Sequence, residues 1–348
     1  MRDKNIDIYR GCVMMYMTCF VHLIFWMKFF DYPYKSWVII GSPASFMVAG
    51  AAFSLASQKK YFVYVKRRVY RIVRPYWLYA AMVLSTLTLA HFLFGIDSLP
   101  TRNEVLGWLL FSAEVKYPFI CGHLWYIAPY IIISLCAPLL YKWWKRLKPH
   151  IVLVVALFLA AIFFADQFSF SKNVRYAFVY GLFYVLGFYY KNIRISRMQQ
   201  MLASIVLFAV SFLLHQYGGY SINMQENKFP TNLMFTVFTL FALLTFKDVL
   251  AWGCMRLYSL KGGKWIIDIY NKYVYSIYLY QPFSFLLLYL ATKKLEISHL
   301  HLSSGQYLML FPVFFVFLIF SNAFFGMVMT KVERFLFERK KNPLTKPA

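Results

Sequence analysis

Three ionisable side chains lie in the first apolar stretch of the chain, where a lipid environment would normally exclude them. The stretch IDIYRGCVMMYMTCFVHLIFW, residues 6–26, carries Asp7 and Arg10 near one end and His22 deep inside. Ionisable groups in a membrane segment usually face a protein interior or a watery cavity. Imidazole titrates near neutrality and suits proton transfer to or from a reacting group. His22 is therefore a candidate general base.

The spacing of these residues also allows structural interpretations. Asp7 and Arg10 are three apart, so they share a helix face and can pair, with Asp7 orienting Arg10. Near a membrane boundary the same pair would serve as an interfacial anchor. His22 lies about 18 Å along the axis from Arg10 at 1.5 Å per residue. The structural alternative for His22 is a neutral histidine hydrogen-bonded across helices.

A second candidate site is the basic string KRRVYRIVRPYW, residues 66–77. Arg68 and Arg71 share a helical face, Arg74 continues it, and Arg67 is an accessory candidate. Clustered guanidinium groups match phosphate geometry bidentately, so this string predicts a phosphate-binding site. A topology signal or contact with anionic lipid would also explain the basic residues.

The string CGHLWYIAPY, residues 121–130, places a histidine beside two aromatic residues. His123, Trp125 and Tyr126 are predicted to lie at the outer membrane interface. Aromatic belts are common there, which is the structural interpretation of Trp125 and Tyr126. Their aromatic faces would also suit the sugar ring of an acceptor.

The string SIYLYQPF, residues 276–283, places Gln281 directly before Pro282. A proline inside a membrane helix frees a backbone carbonyl that a neighbouring group must satisfy. Gln281 either satisfies that kinked backbone or hydrogen-bonds a ligand.

The elements that carry these residues are predicted to be membrane helices. The chain has 348 residues, of which 61% are hydrophobic and only 14% charged, and several apolar runs reach the ~20 residues that cross a bilayer. This composition predicts an all-α polytopic bundle and one membrane domain over 1–348, with no appended soluble domain. The ten predicted spans are 8–30, 37–57, 75–95, 122–141, 150–166, 174–190, 199–217, 231–251, 270–292 and 307–330.

The distribution of basic residues predicts which side each loop occupies. Placing both termini in the cytoplasm leaves nine of the 37 lysines and arginines outside, as the positive-inside rule requires. The nine are Lys28, Lys35, Arg102, Lys116, Lys172, Arg175, Lys228, Lys293 and Lys294. The net charge of +24 is thus spread between apolar runs, which argues against nucleic acid as a partner. The five cysteines show neither metal-ligand spacing nor a disulfide framework.

Together, these strings resemble the acyltransferase type-3 family of integral membrane enzymes, which move acyl groups, often acetyl, onto sugars of envelope glycans. Asp7-Ile8-Tyr9-Arg10-Gly11, followed by a helix that reaches His22, is similar to the opening of that family. The resemblance implies catalytic roles for Arg10 and His22. It also implies that Arg68 and Arg71 hold the phosphates of a cytosolic acyl-coenzyme A.

The resemblance extends to later strings, with two departures. His-Leu-Trp-Tyr implies that His123 and Trp125 line the site, whereas Gln281 stands where the family frequently has histidine. The family usually has ten residues between its arginine and histidine, but residues 11–21 make eleven. One extra residue rotates His22 by about 100°, and a π-bulge in the first helix would absorb it.

These observations predict a plasma (inner) membrane O-acetyltransferase without a metal, taking acetyl-coenzyme A as donor and a glycan or lipid-linked sugar as acceptor. One alternative is a transmembrane N-acetyltransferase of the heparan-glucosaminide kind. Another is a transporter or flippase of lipid-linked sugars, for which Pro282 would mark a broken helix. A non-enzymatic scaffold would explain the spans but not His22. The oligomeric state is left open.

Overall fold

The described part of the chain is helical apart from connecting segments and one isolated bridge. The computed structural model describes residues 3–27, 32–56, 60–95, 99–111, 118–192, 195–294 and 304–337. Its helices are α1 Lys4–Trp26, α2 Pro33–Leu55, α3 Tyr61–Phe94, α4 Arg102–Leu109, α5 Pro118–Cys121, α6 Leu124–Leu147, α7 Ile151–Gln167, α8 Lys172–Phe188, α9 Arg197–Tyr217, α10 Met224–Lys228, α11 Leu233–Ser259, α12 Lys261–Lys272, α13 Val274–Lys294 and α14 Ser304–Phe337.

Membrane-spanning helices dominate this architecture. Among the described residues, eight helices are long and apolar enough to cross a bilayer, and they lie in α1, α2, α3, α6, α9, α11, α13 and α14. The two remaining predicted spans coincide with the shorter helices α7 and α8. The chain is therefore an integral membrane helix bundle. Parts of the predicted first two spans, 28–30 and 57, lie outside the described residues.

Two predicted boundaries are wrong in detail. The third span was expected to begin at Pro75 after a basic loop, but α3 is helical from Tyr61 and includes the whole basic string. Pro282 was expected to break the ninth span, but α13 continues through it. Proline removes only one donor from a helix, and neighbouring groups in a membrane bundle can satisfy the freed carbonyl.

Within the described residues, the helices pack around two large apolar cores and one small cluster of Ile6, Val48 and Ala51. One core is built mainly from α1, α3, α12, α13 and α14, and the other from α2, α6, α7 and α8. The rings of Tyr126 and Tyr130 on α6 pack against both cores. The boundary between the cores therefore runs past α1 and α6, and the candidate site residues lie along it.

Helices α2 and α8 approach each other more closely than side chains would allow. A Cβ at Gly50 would lie 1.9 Å from the Tyr184 carbonyl oxygen, and one at Gly187 would lie 2.0 Å from that of Met47. Only glycine, which lacks a Cβ, permits this backbone contact. This contact positions α2 as one wall of the site.

Candidate functional site

Helix α1 contains the wide turn that the spacing of Arg10 and His22 predicts. Residues Tyr16–Val21 form a π-helix, which confirms that a bulge lies between them. Neighbouring helices contact this turn: the Asn322 side-chain amide donates to the Thr18 carbonyl oxygen at 3.4 Å, and the Tyr270 hydroxyl lies 3.0 Å from Cys19 Sγ. The π-helix is therefore held by α12 and α14, and it sets the direction in which His22 points.

The imidazole of His22 is held on two sides. Its Nδ1 lies 2.6 Å from Gln281 Oε1. Its ring stacks on Trp26, with centroids 4.6 Å apart and planes only 3° from parallel. The ring orientation of His22 is thus fixed by α13 and by the next turn of its own helix.

Pro282 determines which atom of Gln281 faces His22. Because proline has no N–H, the carbonyl of Tyr278, four residues earlier, loses its usual helical donor. Gln281 Nε2 donates to that carbonyl at 3.0 Å, which leaves Oε1 as the acceptor for His22. His22 Nδ1 must then be the donor, so Nε2 carries the lone pair. This is the tautomer that a general base requires.

Gln281 was considered from the sequence as a residue that hydrogen-bonds a ligand, but the structure places its side chain away from the cavity. Its side chain is fully buried and does not line the cavity that His22 faces. The same side-chain amide donates to the free backbone carbonyl of α13 and accepts from His22. Gln281 is thus a positioning residue behind His22.

His123 lies on the segment before α6 and is almost completely buried. Its Nε2 is 3.2 Å from the Leu279 carbonyl oxygen, to which it donates. Its Nδ1 has no hydrogen-bond partner among the described residues. The Tyr278 hydroxyl donates to the His123 carbonyl, which fixes the backbone of this turn against α13.

His22 and His123 line the same cavity, named here the His22 cavity, with a volume of about 500 Å³. Trp125 and Tyr126 also line it, so four of the predicted site residues converge on one space. Its other walls come from α2, α8, and the segment around α10. This volume lies within the ~300–1,000 Å³ typical of small-molecule sites.

Lys228 is a site residue that sequence reasoning missed. At the sequence level it was counted only as one of nine outer basic residues, yet it lines the His22 cavity and is only 8% exposed. Its ammonium lies over the ring of Trp125, 4.8 Å from the centroid. Burial lowers the pKa of the Lys228 ammonium to about 7. The available signal was a lysine followed directly by Phe229 and Pro230 in a predicted outer segment.

A second cavity of about 310 Å³, named here the arginine cavity, contains Arg10, Arg68 and Arg71. The predicted pair on α1 is present, since Arg10 lies 3.4 Å from Asp7. Arg10 also contacts Asn271 Oδ1 at 3.3 Å. The structure thus brings Arg10 of α1 together with two arginines of α3, although more than 50 residues separate them in sequence.

The guanidinium of Arg68 is fixed against α6. Its Nη2 donates to the Tyr130 hydroxyl, and its Nε lies 3.4 Å from Ser134 Oγ. The guanidinium carbon is 5.0 Å from the centroid of the Tyr130 ring. These neutral contacts hold the arginine in place without neutralising its charge, which stays available to an anion.

The other two arginines of the basic string face elsewhere. Neither Arg67 nor Arg74 lines the arginine cavity, and both are exposed. Arg74 lies over the Tyr70 ring at 4.5 Å and lines a separate surface groove with Lys66. Of the four arginines in this string, only Arg68 and Arg71 line the arginine cavity, so the predicted contact of Arg67 and Arg74 with the coenzyme stays a prediction.

Two tyrosines separate the two cavities. Tyr126 and Tyr278 line both, and their ring centroids are 5.3 Å apart. The Tyr126 hydroxyl is 2.7 Å from Ser45 Oγ on α2. The cavities thus share a wall made of two side chains, with the arginines on one side and the histidines on the other.

Comparison with known proteins agrees with this arrangement of residues. The model of a family described as an acyltransferase domain matches residues 3–331, nearly the whole chain. This match confirms the resemblance noted from the strings around Arg10, Arg68 and His123. No curated protein and no solved structure matches the chain.

Proposed function

Because the chain belongs to this acyltransferase family, we propose that it is a membrane O-acyltransferase that moves an acyl group from cytosolic acyl-coenzyme A to a hydroxyl of an envelope glycan or lipid-linked sugar. Acetyl is the acyl group we expect. In this proposal the bundle lies in the plasma (inner) membrane, both termini are cytoplasmic, and ten helices span the bilayer.

The observation that carries this proposal is the pair of cavities on either side of Tyr126 and Tyr278. One holds three guanidinium groups, which suit phosphates, and the other holds an imidazole in the tautomer of a base. A transfer reaction between substrates on opposite sides of a membrane needs both kinds of site within reach of each other. A site for hydrolysis or transport alone would not need this arrangement.

On the donor side, Arg10, Arg68 and Arg71 would bind the phosphates of the coenzyme by charge-assisted hydrogen bonds. Arg10 is oriented by Asp7 and Asn271. The pantetheine arm would then extend past Ser45 towards the wall that Tyr126 and Tyr278 form. The thioester carbonyl would meet the His22 cavity at that wall.

On the acceptor side, His22 Nε2 would take the proton of the acceptor hydroxyl. The hydroxyl oxygen attacks the thioester carbonyl, the new C–O bond forms, and the C–S bond breaks. The coenzyme thiolate leaves towards the arginine cavity and takes up the proton that His22 Nε2 received from the hydroxyl, so that His22 returns to its neutral form. Gln281 accepts from Nδ1 throughout and stabilises the imidazolium that forms transiently.

Labelled acetyl transfer tests this function. The purified protein is incubated with labelled acetyl-coenzyme A and lipid-linked or free glycans, and His22→Ala is compared with His150→Ala. His150 is exposed, directly precedes α7 and lines neither cavity. We expect transfer by the intact protein and by His150→Ala, and a loss of at least about a hundredfold in His22→Ala, as removal of a general base predicts.

A matched pair of double variants tests the donor site. Arg68→Ala plus Arg71→Ala is compared with Arg67→Ala plus Arg74→Ala, which removes the same charge from the same helix. We expect the first pair to raise the KM for acetyl-coenzyme A by about tenfold or more and the second pair to have a smaller effect.

Three results would contradict the proposal. An equal rise in the KM for acetyl-coenzyme A in the two double variants would mean that the arginine cavity is not the donor site. Label recovered on nitrogen instead of oxygen would favour the transmembrane N-acetyltransferase. Movement of a lipid-linked sugar across vesicles without any acyl transfer would favour the flippase.

A further inference from the structure

Lys228 is a buried lysine that makes no ion pair with an acidic residue in the part of the chain that the structure describes. It ends α10, is 92% buried, and its ammonium lies 4.8 Å and 5.0 Å from the ring centroids of Trp125 and Phe229. Within the described ranges, none of the ion pairs includes it. Buried lysines are normally paired with a carboxylate, because removing an ammonium from water is costly.

The cavity around Lys228 has an excess of positive charge. Its lining includes two lysines, Lys172 and Lys228, and the two histidines of the site. Among the described residues that line it, there is no aspartate or glutamate. An anion entering this space would meet only neutral or positive groups and would offset the desolvation of the ammonium.

The coenzyme is not the anion that this position favours. Its phosphates are assigned to Arg10, Arg68 and Arg71, which line the other cavity and not this one. Lys228 instead shares a cavity with His22, where the acceptor hydroxyl would lie. The anionic group therefore belongs to the molecule that receives the acyl group.

We propose that Lys228 binds a carboxylate or phosphate of the acceptor and thereby selects an anionic sugar over a neutral one. This inference rests on the proposed function, because it is that function which identifies the ligand as the acyl acceptor. The ammonium over Trp125 would hold the anionic group at the cavity wall while a hydroxyl of the same molecule reaches His22. Burial lowers the pKa of the ammonium to about 7, and a bound anion would raise that pKa again because it favours the charged form.

The test uses three sugars that differ in charge: methyl glucuronide with a carboxylate, glucose 1-phosphate with a phosphate, and neutral methyl glucoside. Each is titrated into the intact full-length protein by calorimetry, with and without acetyl-coenzyme A, and acetyl transfer is measured in parallel. The variants are Lys228→Gln, Lys228→Arg and the control Lys247→Gln. Lys247 is partly exposed and pairs with Asp248, and it does not line the His22 cavity.

We expect the intact protein and Lys247→Gln to bind at least one charged sugar about tenfold more tightly than methyl glucoside, the effect of one charge-assisted hydrogen bond. Lys228→Gln is expected to abolish this preference, whereas binding of methyl glucoside stays the same. Lys228→Arg is expected to retain a preference. The two charged sugars show whether a carboxylate or a phosphate is recognised.

Equal binding of all three sugars by the intact protein, or an unchanged preference in Lys228→Gln, would overturn the inference. So would acetylation of Lys228 itself, detected by mass spectrometry, since the amine would then be an acceptor and not an anion site. Calorimetry needs no turnover. Loss of charged-sugar binding in Lys228→Gln with no acetyl transfer in any sample would therefore support the anion site and count against the proposed function.

Discussion

At the scale of single residues, a proline in α13 determines the protonation pattern of a histidine in α1. Pro282 cannot donate to the Tyr278 carbonyl, and Gln281 Nε2 donates in its place at 3.0 Å. The other end of the same amide then accepts from His22 Nδ1 at 2.6 Å. Since an amide has one oxygen and one nitrogen end, fixing one end fixes the other. His22 is thereby kept with its lone pair on Nε2.

This arrangement predicts that two substitutions at Gln281 have different effects. Gln281→Glu keeps an oxygen for His22 Nδ1, whereas Gln281→Met keeps the length of the side chain without any acceptor. We expect Gln281→Met to lower kcat by about tenfold to a hundredfold, because a lost hydrogen bond to a buried group costs ~1–3 kcal/mol. Gln281→Glu is expected to retain more activity than Gln281→Met.

The comparison is made on kcat and KM separately, with thermal unfolding of both variants as a folding control. A positioning role acts on kcat and leaves the KM for acetyl-coenzyme A unchanged. Equal losses of kcat in Gln281→Glu and Gln281→Met would mean that the amide only satisfies the backbone of α13.

At the scale of elements, α1 connects the two cavities. Val13 and Met14 line the arginine cavity, and Met17 and Val21 line the His22 cavity. The π-helix Tyr16–Val21 lies at the transition between them. A wide turn changes the direction of every side chain that follows it. The bulge therefore allows one helix to present an arginine and a histidine to two different spaces.

The walls of both cavities also depend on how closely α2 approaches α8. Ser42 of α2 lines the His22 cavity, and Ser45 and Val48 line the arginine cavity. The backbone contact at Gly50 brings these residues to the positions they occupy. Small residues in a membrane bundle commonly serve this purpose.

We therefore expect Gly50→Ala to destabilise the protein by about 1–3 kcal/mol, because the new Cβ would meet a backbone oxygen that cannot move aside on its own. Gly253→Ala on α11 is the matched control, since a Cβ there has no neighbour within 4 Å. Alanine at that position is expected to be neutral or slightly stabilising. Thermal unfolding in detergent measures both, and equal unfolding temperatures would contradict the close approach of α2 and α8.

At the scale of the whole molecule, the two cores meet where the chemistry is proposed. Tyr126 and Tyr130 pack against both cores, and Tyr126 also separates the two cavities. A boundary between two packed groups of helices leaves spaces that neither group fills. This explains why the cavities lie along α1 and α6 and not within either core.

The charge distribution of the whole chain predicts its orientation. With nine of 37 basic residues on the outer side, we expect the N- and C-termini to be cytoplasmic. A fluorescent protein fused to the C-terminus should be bright, and alkaline phosphatase fused there should be inactive. A phosphatase fusion after Gly219, in the segment that follows α9, should be active. An active C-terminal phosphatase would reverse the orientation and place the arginine cavity on the wrong side for a cytosolic coenzyme.

The sequence by itself was sufficient to predict the properties that depend on local composition and on the spacing of nearby residues. Apolar length predicted a membrane helix bundle, because hydrophobic length is a property of a contiguous segment. Within the described residues each predicted span overlaps a helix, and eight of these helices are long and apolar enough to cross a bilayer. The three-residue spacing of Asp7 and Arg10 predicted their pair, which lies at 3.4 Å. The extra residue between Arg10 and His22, relative to the family's usual spacing, raised a π-bulge as one way to keep His22 aligned, and the π-helix Tyr16–Val21 is present. Arg68 and Arg71 were singled out as a pair because they share a helical face.

Only the tertiary structure decided which side chains meet across helices. Gln281 lies 259 positions from His22 in sequence, and nothing in its local string shows that its Oε1 would face that ring. Likewise, Lys228 resembles any outer lysine until folding buries it over Trp125, in a cavity whose described lining includes no aspartate or glutamate. Charge balance and hydrogen-bond partners in a cavity depend on residues from many helices at once, so they are properties of the packed bundle and not of any single segment.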